Sequence, residues 1–236
     1  ESGRVWAVVA EPCFVDVHDS QQLVASAGRI AIACRKRKAP FLVFTNSLVF
    51  DGNSVLPYIE SDAPNPVCPV GKMLNRFERA ALEAFDGTLV VRTGEILDPT
   101  NQGCPLGRIL KSFARSDGVE LKVGELISPA YLPHVAHVSL DLLLDGESGV
   151  WHLSNGGVLS WSELATAVAC AYGDINAALQ AQPRMRALST GRGQCMPSLE
   201  AALTSYLSEY ESGQDREFEL RHIQPKRTGA FGASEI

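Results

Sequence analysis

The fold is decided by two short apolar runs, Val5–Val9 (VWAVV) and Phe41–Phe44 (FLVF), and by the segment between them. Neither run alternates with polar residues, which is typical of strands buried on both faces of a parallel sheet. In between, apolar residues recur at helical spacing from Leu23 to Cys34, and Ala39-Pro40 ends that pattern. The sequence therefore predicts a strand, a helix and a second parallel strand joined by a right-handed crossover.

The alternation continues with a helix from about Gly71 to Phe85 and a third buried strand, Thr88–Arg92 (TLVVR). Strands and helices that alternate over such short connections favour the doubly wound α/β class. The fold that we predict is an incomplete Rossmann-like parallel sheet with a smaller C-terminal α/β lobe of the substrate-binding type. Residues 1–94 form the remaining half of the Rossmann-like domain, residues 95–212 form the lobe, and residues 213–236 form a polar tail.

Beyond Asp98, turns with proline and glycine separate further helices, which are predicted near residues 106–115, 133–144 and 160–172 and from Pro197 onward. Ser160 and Glu163 have the spacing of a capping box, so they should open the helix that runs to residue 172. After Gly213 the chain is polar and charged and shows no periodicity. We expect this tail to be extended or disordered unless a partner orders it.

Composition excludes several classes of function. The net charge of −6 argues against nucleic acid as a partner, because phosphate neutralisation needs a concentrated basic surface. With 236 residues and a mean hydropathy of +0.01, the chain has no apolar stretch long enough to predict a membrane span. The six cysteines show no C-x-x-C spacing, which indicates reduced thiols in a cytoplasmic protein rather than a zinc site or disulfides.

A segment after the second strand carries a longer motif. It reads Phe44–Gly52 (FTNSLVFDG), then Pro57–Asp62 (PYIESD), Asn65-Pro66 and Gly71-Lys72. Several matched positions in this order resemble the signature of the dTDP-4-dehydrorhamnose reductases, a family of extended short-chain reductases. Further matches follow downstream at residues 90–93 (VVRT), 128–131 (SPAY), 149–153 (GVWHL) and 197–199 (PSL).

The resemblance also indicates what is absent. The family's first three strands, with the glycine-rich loop that binds the pyrophosphate of NADP(H), have no counterpart here. Because the chain begins at Glu1, we expect that an upstream segment has been removed or not included. As given, the chain is expected to bind no cofactor, and NADP(H) only if that segment is supplied. Glu11, near the expected nicotinamide wall, should weaken binding further through its charge.

The reactive positions implied by the resemblance are altered. Where the family has a proton-donating Tyr and a Lys four residues on, this chain has Val70 and Leu74, which can neither donate a proton nor carry charge. The Ser or Thr position falls on Asn46, which cannot relay a proton. Neighbouring Thr45 should face the opposite side of the strand, and Lys72 should point about 200° away from the expected lysine. No catalytic residue is therefore predicted.

Three residues are candidates for contacting a sugar nucleotide, because the resemblance places their segments beside that ligand: Arg92, Ser128 and Tyr131. Arg92 has the alternative of pairing with a carboxylate, and Tyr131 that of a core residue. His134 and His137 form an H-x-x-H pair, but the family has no metal there, and we expect no metal site. Asp51, Gly52 and Tyr58 should form a turn and its anchor, and His152 a structural strand histidine.

Three functions are compatible with these observations. The first is a degenerate reductase-like subunit that binds a partner protein and a nucleotide sugar. The second is an active NADPH-dependent reductase of dTDP-4-keto-6-deoxy sugars, completed by a missing segment or another chain. The third is a sugar-nucleotide-binding domain fused to an unrelated catalytic domain. In every case an uncovered strand edge at Val5–Val9 would invite pairing, so we expect a missing segment, a second copy or another subunit to cover it.

Overall fold

A computed structural model of the chain describes residues 5–12, 20–101, 103–115, 125–172 and 184–222. The first half contains β1 (Val8–Ala10), α1 (Ser20–Arg37), β2 (Phe41–Asn46), a 3-10 helix (Ser47–Val49), α2 (Pro69–Ala84) and β3 (Thr88–Thr93). The second half contains β4 (Glu95–Leu97), α3 (Pro105–Arg115), β5 (Glu125–Ile127), β6 (Pro129–Tyr131), α4 (Leu132–Leu144), β7 (Gly149–Leu153), β8 (Leu159–Ser160), α5 (Trp161–Tyr172), β9 (Arg184–Met185) and α6 (Leu199–His222).

The main sheet has four parallel strands in the order β1-β2-β3-β7. Phe41 of β2 lies opposite Val8 on one side and Thr88 on the other, which fixes the register of the first three strands. The return of the chain to parallel strands through α1 and α2 follows the predicted crossovers. The α/β class and the Rossmann-like parallel sheet are therefore confirmed.

Side chains of the central strands alternate between two helical layers. Phe41 and Val43 of β2, together with Val90 of β3, pack with α1 and α2 on one face. Leu42 and Leu89 pack with α4 on the other face. Because successive strand residues point to opposite faces, a strand without polar alternation must be covered on both. The sheet is thus doubly wound, as the apolar runs predict.

A second apolar core lies in the later half, where α3, α5 and α6 pack around two small sheets. One sheet pairs β4 with β6 in parallel, and the other has the order β8-β5-β9. Strand β7, although it lies in the segment predicted as the lobe, pairs with β3 of the main sheet. The boundary near residue 94 stays a prediction.

Short strands of this half were not expected. No strand is predicted at residues 128–131, but Pro129–Tyr131 is strand β6, buried along its whole length and paired with β4. Strands β4, β5, β8 and β9 contain only two or three residues each. A run of two or three residues spans little more than one period of strand alternation, so periodicity cannot reveal it.

The prediction of an extended tail is wrong for its first part. Helix α6 continues from Leu199 to His222, and residues 223–236 lie outside the described part of the chain. The continuation is rich in Glu, Arg, Gln and Leu, which are good helix formers. Extending an existing helix avoids the cost of nucleation, so these propensities suffice and outweigh the roughly 1 kcal/mol cost of Gly213.

The predicted capping box at the start of α5 is confirmed. The backbone N–H of Ser160 donates to Glu163 Oε2 at 2.6 Å, and the backbone N–H of Glu163 donates to Ser160 Oγ at 3.2 Å. The Ser160 N–H and the Ser160 hydroxyl, in that order of effect, lower the pKa of the Glu163 carboxyl. Two backbone donors are satisfied in this way at the first turn.

The two edges of the main sheet differ. The edge of β7 is covered by residues 185–196, which we call the strap: the Arg192 guanidinium lies 4.8 Å from the Trp151 ring centre, and Gln194 Nε2 donates to Ser154 O. Within the described residues no strand pairs with the outer side of β1. There Trp6 and Val9 are 55% and 57% exposed. None of the described helices has the length and apolar character needed to cross a membrane.

Candidate functional site

The carboxyl ends of parallel strands are where open α/β sheets bind ligands, and here β2 and β3 end side by side at Asn46 and Thr93. The oxygen of the Asn46 side chain is used within the fold. Its side-chain oxygen accepts the Leu48 N–H at 3.0 Å and so caps the 3-10 helix. The Thr93 hydroxyl donates to Thr45 O at 3.3 Å. Both side chains at this strand end therefore hold backbone in place.

Val70 and Leu74, which the resemblance matches to the family's Tyr and Lys, lie on the first turns of α2 against an apolar cluster. Leu74 is 3% exposed and belongs to the cluster, and half-buried Val70 packs on it. Gly71 lets the helix approach the 3-10 helix closely, because a Cβ there would lie 2.0 Å from Leu48 O. Hydrocarbon side chains therefore occupy both positions at this end of the helix.

Lys72 and Thr45, the polar neighbours of these positions, both point elsewhere, as predicted. Lys72 is exposed, whereas its neighbours Gly71 and Met73 are buried, so it points away from the cluster as the helical offset predicts. Thr45 faces α2, where its hydroxyl donates to Glu78 Oε1 at 2.5 Å. Thr45 therefore lies on the side of β2 opposite to Asn46, as predicted from the alternation of side chains along a strand.

Arg92 is paired with a buried carboxylate. Its Nη2 lies 2.7 Å from Glu78 Oε2 and its Nε 3.1 Å from Glu78 Oε1, and both side chains are almost fully buried. This pairing is the alternative to ligand contact that the sequence left open. The fork of two hydrogen bonds fixes α2 against β3.

Ser128 is completely buried and bound within the fold. Its Oγ accepts the Leu188 N–H from the strap at 2.8 Å, and its carbonyl oxygen accepts the Glu95 N–H at 3.1 Å. Gly94 is required beside it, because a Cβ there would lie 1.7 Å from Ser128 O. Ser128 therefore joins the strap to the strand pair β4–β6, and its role toward a sugar nucleotide stays a prediction.

Tyr131 lies in the core of the later half and is 2% exposed. Its hydroxyl donates to Glu209 Oε1 on α6 at 2.6 Å, and its backbone N–H donates to Asn155 Oδ1 at 2.7 Å. Burial, followed by the Glu209 carboxylate, raises the pKa of Tyr131. A phenol held protonated in this way anchors β6 to α6, and its predicted ligand contact is likewise untested.

His152 and Glu60 hold the strap against β7. The His152 Nδ1 lies 2.9 Å from Ser189 O and 3.2 Å from Tyr58 O, and the His152 backbone N–H donates to Glu60 Oε1. Glu60 also accepts the Thr190 hydroxyl and the Gly191 N–H. Burial opposes ionisation of Glu60, but the bonds from Gly191 and Thr190 outweigh it and lower its pKa.

His134 and His137 differ in their surroundings. The Asn155 amide donates to His134 Nδ1 at 2.9 Å, whereas His137 is exposed. Burial, followed by the charge of His137, lowers the pKa of His134. In the described part of the chain no group of three or more His, Cys, Asp or Glu side chains is arranged to hold a metal ion.

The predicted turn anchor is confirmed. The Tyr58 hydroxyl donates to Asp51 Oδ1 at 2.8 Å and accepts the Gly52 N–H at 3.1 Å. The Asn53 N–H, followed by the Tyr58 hydroxyl, lowers the pKa of Asp51. The Tyr58 ring stacks on Phe50 with ring centres 4.1 Å apart. This part of the motif is a structural unit.

Sequence reasoning missed Glu78 and Asn155. Glu78 is 1% exposed on the apolar face of α2, between Phe77 and Ala81. A lone carboxylate on a buried helix face, together with a lone Arg92 in a buried strand, is a signal that could have predicted their pairing. Asn155 bonds to three separate segments, and nothing in the sequence near it indicates this.

The chain has clear relatives. A family model described as RmlD substrate binding domain matches residues 16–198. A probable low-salt glycan biosynthesis reductase of Haloferax volcanii is 25% identical over 227 residues, which is 84% of this chain and 76% of that protein. A dTDP-4-keto-6-deoxy-D-glucose reductase of Streptomyces niveus is 26% identical over 152 residues, which is 62% of this chain and only 52% of that protein.

Among solved structures, a dTDP-4-dehydrorhamnose reductase of Bacillus anthracis in complex with NADP superimposes with a TM-score of 0.71 at 20% identity. The superposition covers 85% of this chain and 79% of that one, and it shows the shared fold. The family model covers well over half of the sequence, including the strand ends and the strap described above. The chain therefore belongs to the RmlD substrate-binding domain family.

Proposed function

We propose that this chain is a catalytically degenerate member of its family that serves as a binding or structural subunit of an assembly and retains affinity for a nucleotide sugar. One observation carries the proposal. The two positions that resemble the family's acid and its cation are Val70 and Leu74, and both pack in hydrocarbon. Ketone reduction needs a proton donor near the substrate oxygen, and neither side chain can be one.

The surrounding scaffold supports a binding role rather than loss of all function. The Arg92–Glu78 pair, the Tyr58 anchor and the Glu60 contacts hold the strand ends and the strap in a defined geometry. A ligand-binding surface needs such a fixed scaffold, and the hydrogen bonds of these buried groups stabilise it.

The second candidate is a reductase of dTDP-4-keto-6-deoxy sugars that uses NADPH. It is favoured by the names of the relatives, a glycan biosynthesis reductase and a dTDP-4-keto-6-deoxy-D-glucose reductase. In this case an upstream segment or another chain would supply the cofactor site and the acid. The cytoplasmic location also stays a prediction under both candidates.

Two measurements on the natural, full-length assembly separate the candidates. NADPH absorbance is followed with a dTDP-4-keto-6-deoxy sugar at high protein concentration, and dTDP-glucose binding is measured by calorimetry. Binding of the nucleotide sugar with a flat absorbance trace supports the degenerate subunit. Saturable NADPH oxidation overturns it and supports the reductase.

We further propose that a protein partner covers β1, whether an upstream segment, a second copy or another subunit. Trp6 and Val9 are exposed on an edge whose backbone donors and acceptors could pair with a strand. Val9→Lys should raise the dissociation constant of the assembly at least tenfold, since a charge would be buried at the contact. Val55→Lys, at an 89% exposed loop position, is the matched control. An equal loss of assembly with both variants would contradict the proposal.

A further inference from the structure

Two residues that are neighbours across β3 and β7 each have a buried nitrogen atom without a protein partner among the described residues. Within the described residues, Arg92 Nη1 and His152 Nε2 accept or donate no hydrogen bond to the chain, although Arg92 and His152 are each only 3% exposed. The two residues are register partners on β3 and β7, so their side chains lie on the same face of the sheet. Both also contact Phe50, with the Arg92 Cζ 5.3 Å and the His152 ring centre 5.9 Å from its ring centre.

The protonation of the His152 ring follows from its other contacts. Nδ1 lies within hydrogen-bond distance of two carbonyl oxygens, those of Ser189 and Tyr58. Carbonyl oxygens only accept, so Nδ1 must carry the proton. In a neutral imidazole this leaves Nε2 as an acceptor. The unpartnered pair is therefore one donor, the Arg92 Nη1–H, and one acceptor.

The charge of the surroundings selects the ligand. The Arg92 guanidinium is already neutralised by Glu78, with 2.7 Å between Nη2 and Oε2, and Thr45 adds a neutral hydroxyl to the same carboxylate. With a neutral His152, an anion or a cation placed between the two nitrogens would be a buried charge without a counterion, which is strongly unfavourable. A small neutral molecule that both donates and accepts fits, and water has this character.

We infer that a single buried water molecule bridges Arg92 Nη1 and His152 Nε2. It accepts from the guanidinium and donates to the imidazole, and it thereby links the Glu78–Arg92 pair of α2 and β3 to the histidine that holds the strap. Water retained in proteins commonly makes two to four such bonds to otherwise unsatisfied groups. The water site is a structural element that joins the main sheet to the strap.

The test uses the intact chain in two ways. A high-resolution crystal structure should show one solvent peak within about 3 Å of both nitrogens. Long-range ¹H–¹⁵N correlation spectra at neutral pH should show His152 neutral, with the proton on Nδ1. Absence of the solvent peak overturns the inference, and so does a His152 ring protonated on Nε2.

A matched variant tests the part played by Nε2. In His152→Asn the amide nitrogen can take the place of Nδ1 and donate to Ser189 O, but no atom replaces Nε2. The solvent peak should be lost while the strap keeps its position. A peak that persists at full occupancy in this variant would show that the water does not depend on His152 and would overturn the bridge.

Discussion

Glu78 and Arg92 form a salt bridge of 2.7 Å between α2 and β3, and their side chains are only 2% and 4% exposed. A second pair on the same helix, Arg79 and Glu83, is also joined at 3.2 Å, but both its side chains are more than two-thirds exposed. The two pairs have similar chemistry and differ in burial. Burial decides what each contributes, because an unpaired charge is costly only where water cannot reach it.

We expect Arg92→Met to lower the free energy of unfolding by about 3–5 kcal/mol, because it leaves the Glu78 carboxylate buried without a counterion. Urea denaturation measures the loss. Arg79→Met is the control and should change stability by no more than about 0.5 kcal/mol. Removing both charges with Glu78→Leu and Arg92→Met should recover part of the loss. Similar losses for Arg92→Met and Arg79→Met would contradict the assignment.

Two buried serines offer a second matched comparison. Ser128 accepts the Leu188 N–H, whereas the hydroxyl of Ser139 on α4 has no hydrogen-bond partner in the described part of the chain. Ser128→Ala should cost about 1–3 kcal/mol, since it leaves a buried N–H unsatisfied. Ser139→Ala should be neutral or slightly stabilising, because alanine is the better helix former.

Thermal or urea unfolding of the two alanine variants checks this difference. Calorimetry with dTDP-glucose separates a structural role of Ser128 from the predicted contact with a sugar nucleotide. A Ser128→Ala protein with unchanged stability and weakened binding would support the ligand role instead.

A lysine at position 74, where the resemblance places one in the family, should destabilise this chain. Leu74→Lys would bury an ammonium group in the apolar cluster and should cost at least about 3 kcal/mol, measured by urea unfolding. Leu74→Met should stay within about 1.5 kcal/mol. Lys72→Leu, on the exposed side of the same helix, should change stability by less than about 0.5 kcal/mol. A stable Leu74→Lys protein would indicate that this helix end is more open than its packing suggests.

Acid should loosen the strap through His152. Burial, followed by the positive charge of Arg92, lowers the pKa of His152 below the usual value of about 6.5, although Glu60 opposes this. Below about pH 6.5 the unfolded chain therefore binds a proton that the folded chain does not. Stability is unaffected by this group above that pH and falls as the pH drops below it, by at most about 1.4 kcal/mol per unit.

Urea midpoints between pH 7.5 and 5.5 measure that slope. His152→Asn should flatten it, whatever its effect on absolute stability. His137→Asn changes an exposed histidine of α4 and should alter the slope only through the secondary effect of its charge on the pKa of His134. An unchanged slope in His152→Asn would assign the acid sensitivity to another group, such as His134.

Local chemistry explains what could be predicted from the sequence. The strands Phe41–Phe44 and Thr88–Arg92 were predictable because a largely apolar strand without polar alternation indicates burial on both faces. The capping box at Ser160 and Glu163 was predictable because both partners lie within one helical turn. In each case the residues that form the structure are the same few neighbouring residues from which it was predicted.

The contacts that hold the candidate site have no such local signal. Tyr131 meets Glu209 across 78 residues of sequence, and Thr190 meets Glu60 across 130. The Ser128 hydroxyl accepts from Leu188, 60 residues away. The tertiary arrangement of strands and helices brings these partners together. Residues that the resemblance places beside a ligand therefore have internal partners, which the sequence could not reveal.

The strap has a consequence for how the chain unfolds. Met185 and Ser189 donate their backbone N–H groups to Gly52 O and Tyr58 O in the first half, while Arg186 donates to Leu126 O in the second. One segment near the carboxyl end is therefore a shared element of both cores. Neither half can open without removing hydrogen bonds from the other, so heat should melt the molecule in a single cooperative transition rather than as two independent folding units.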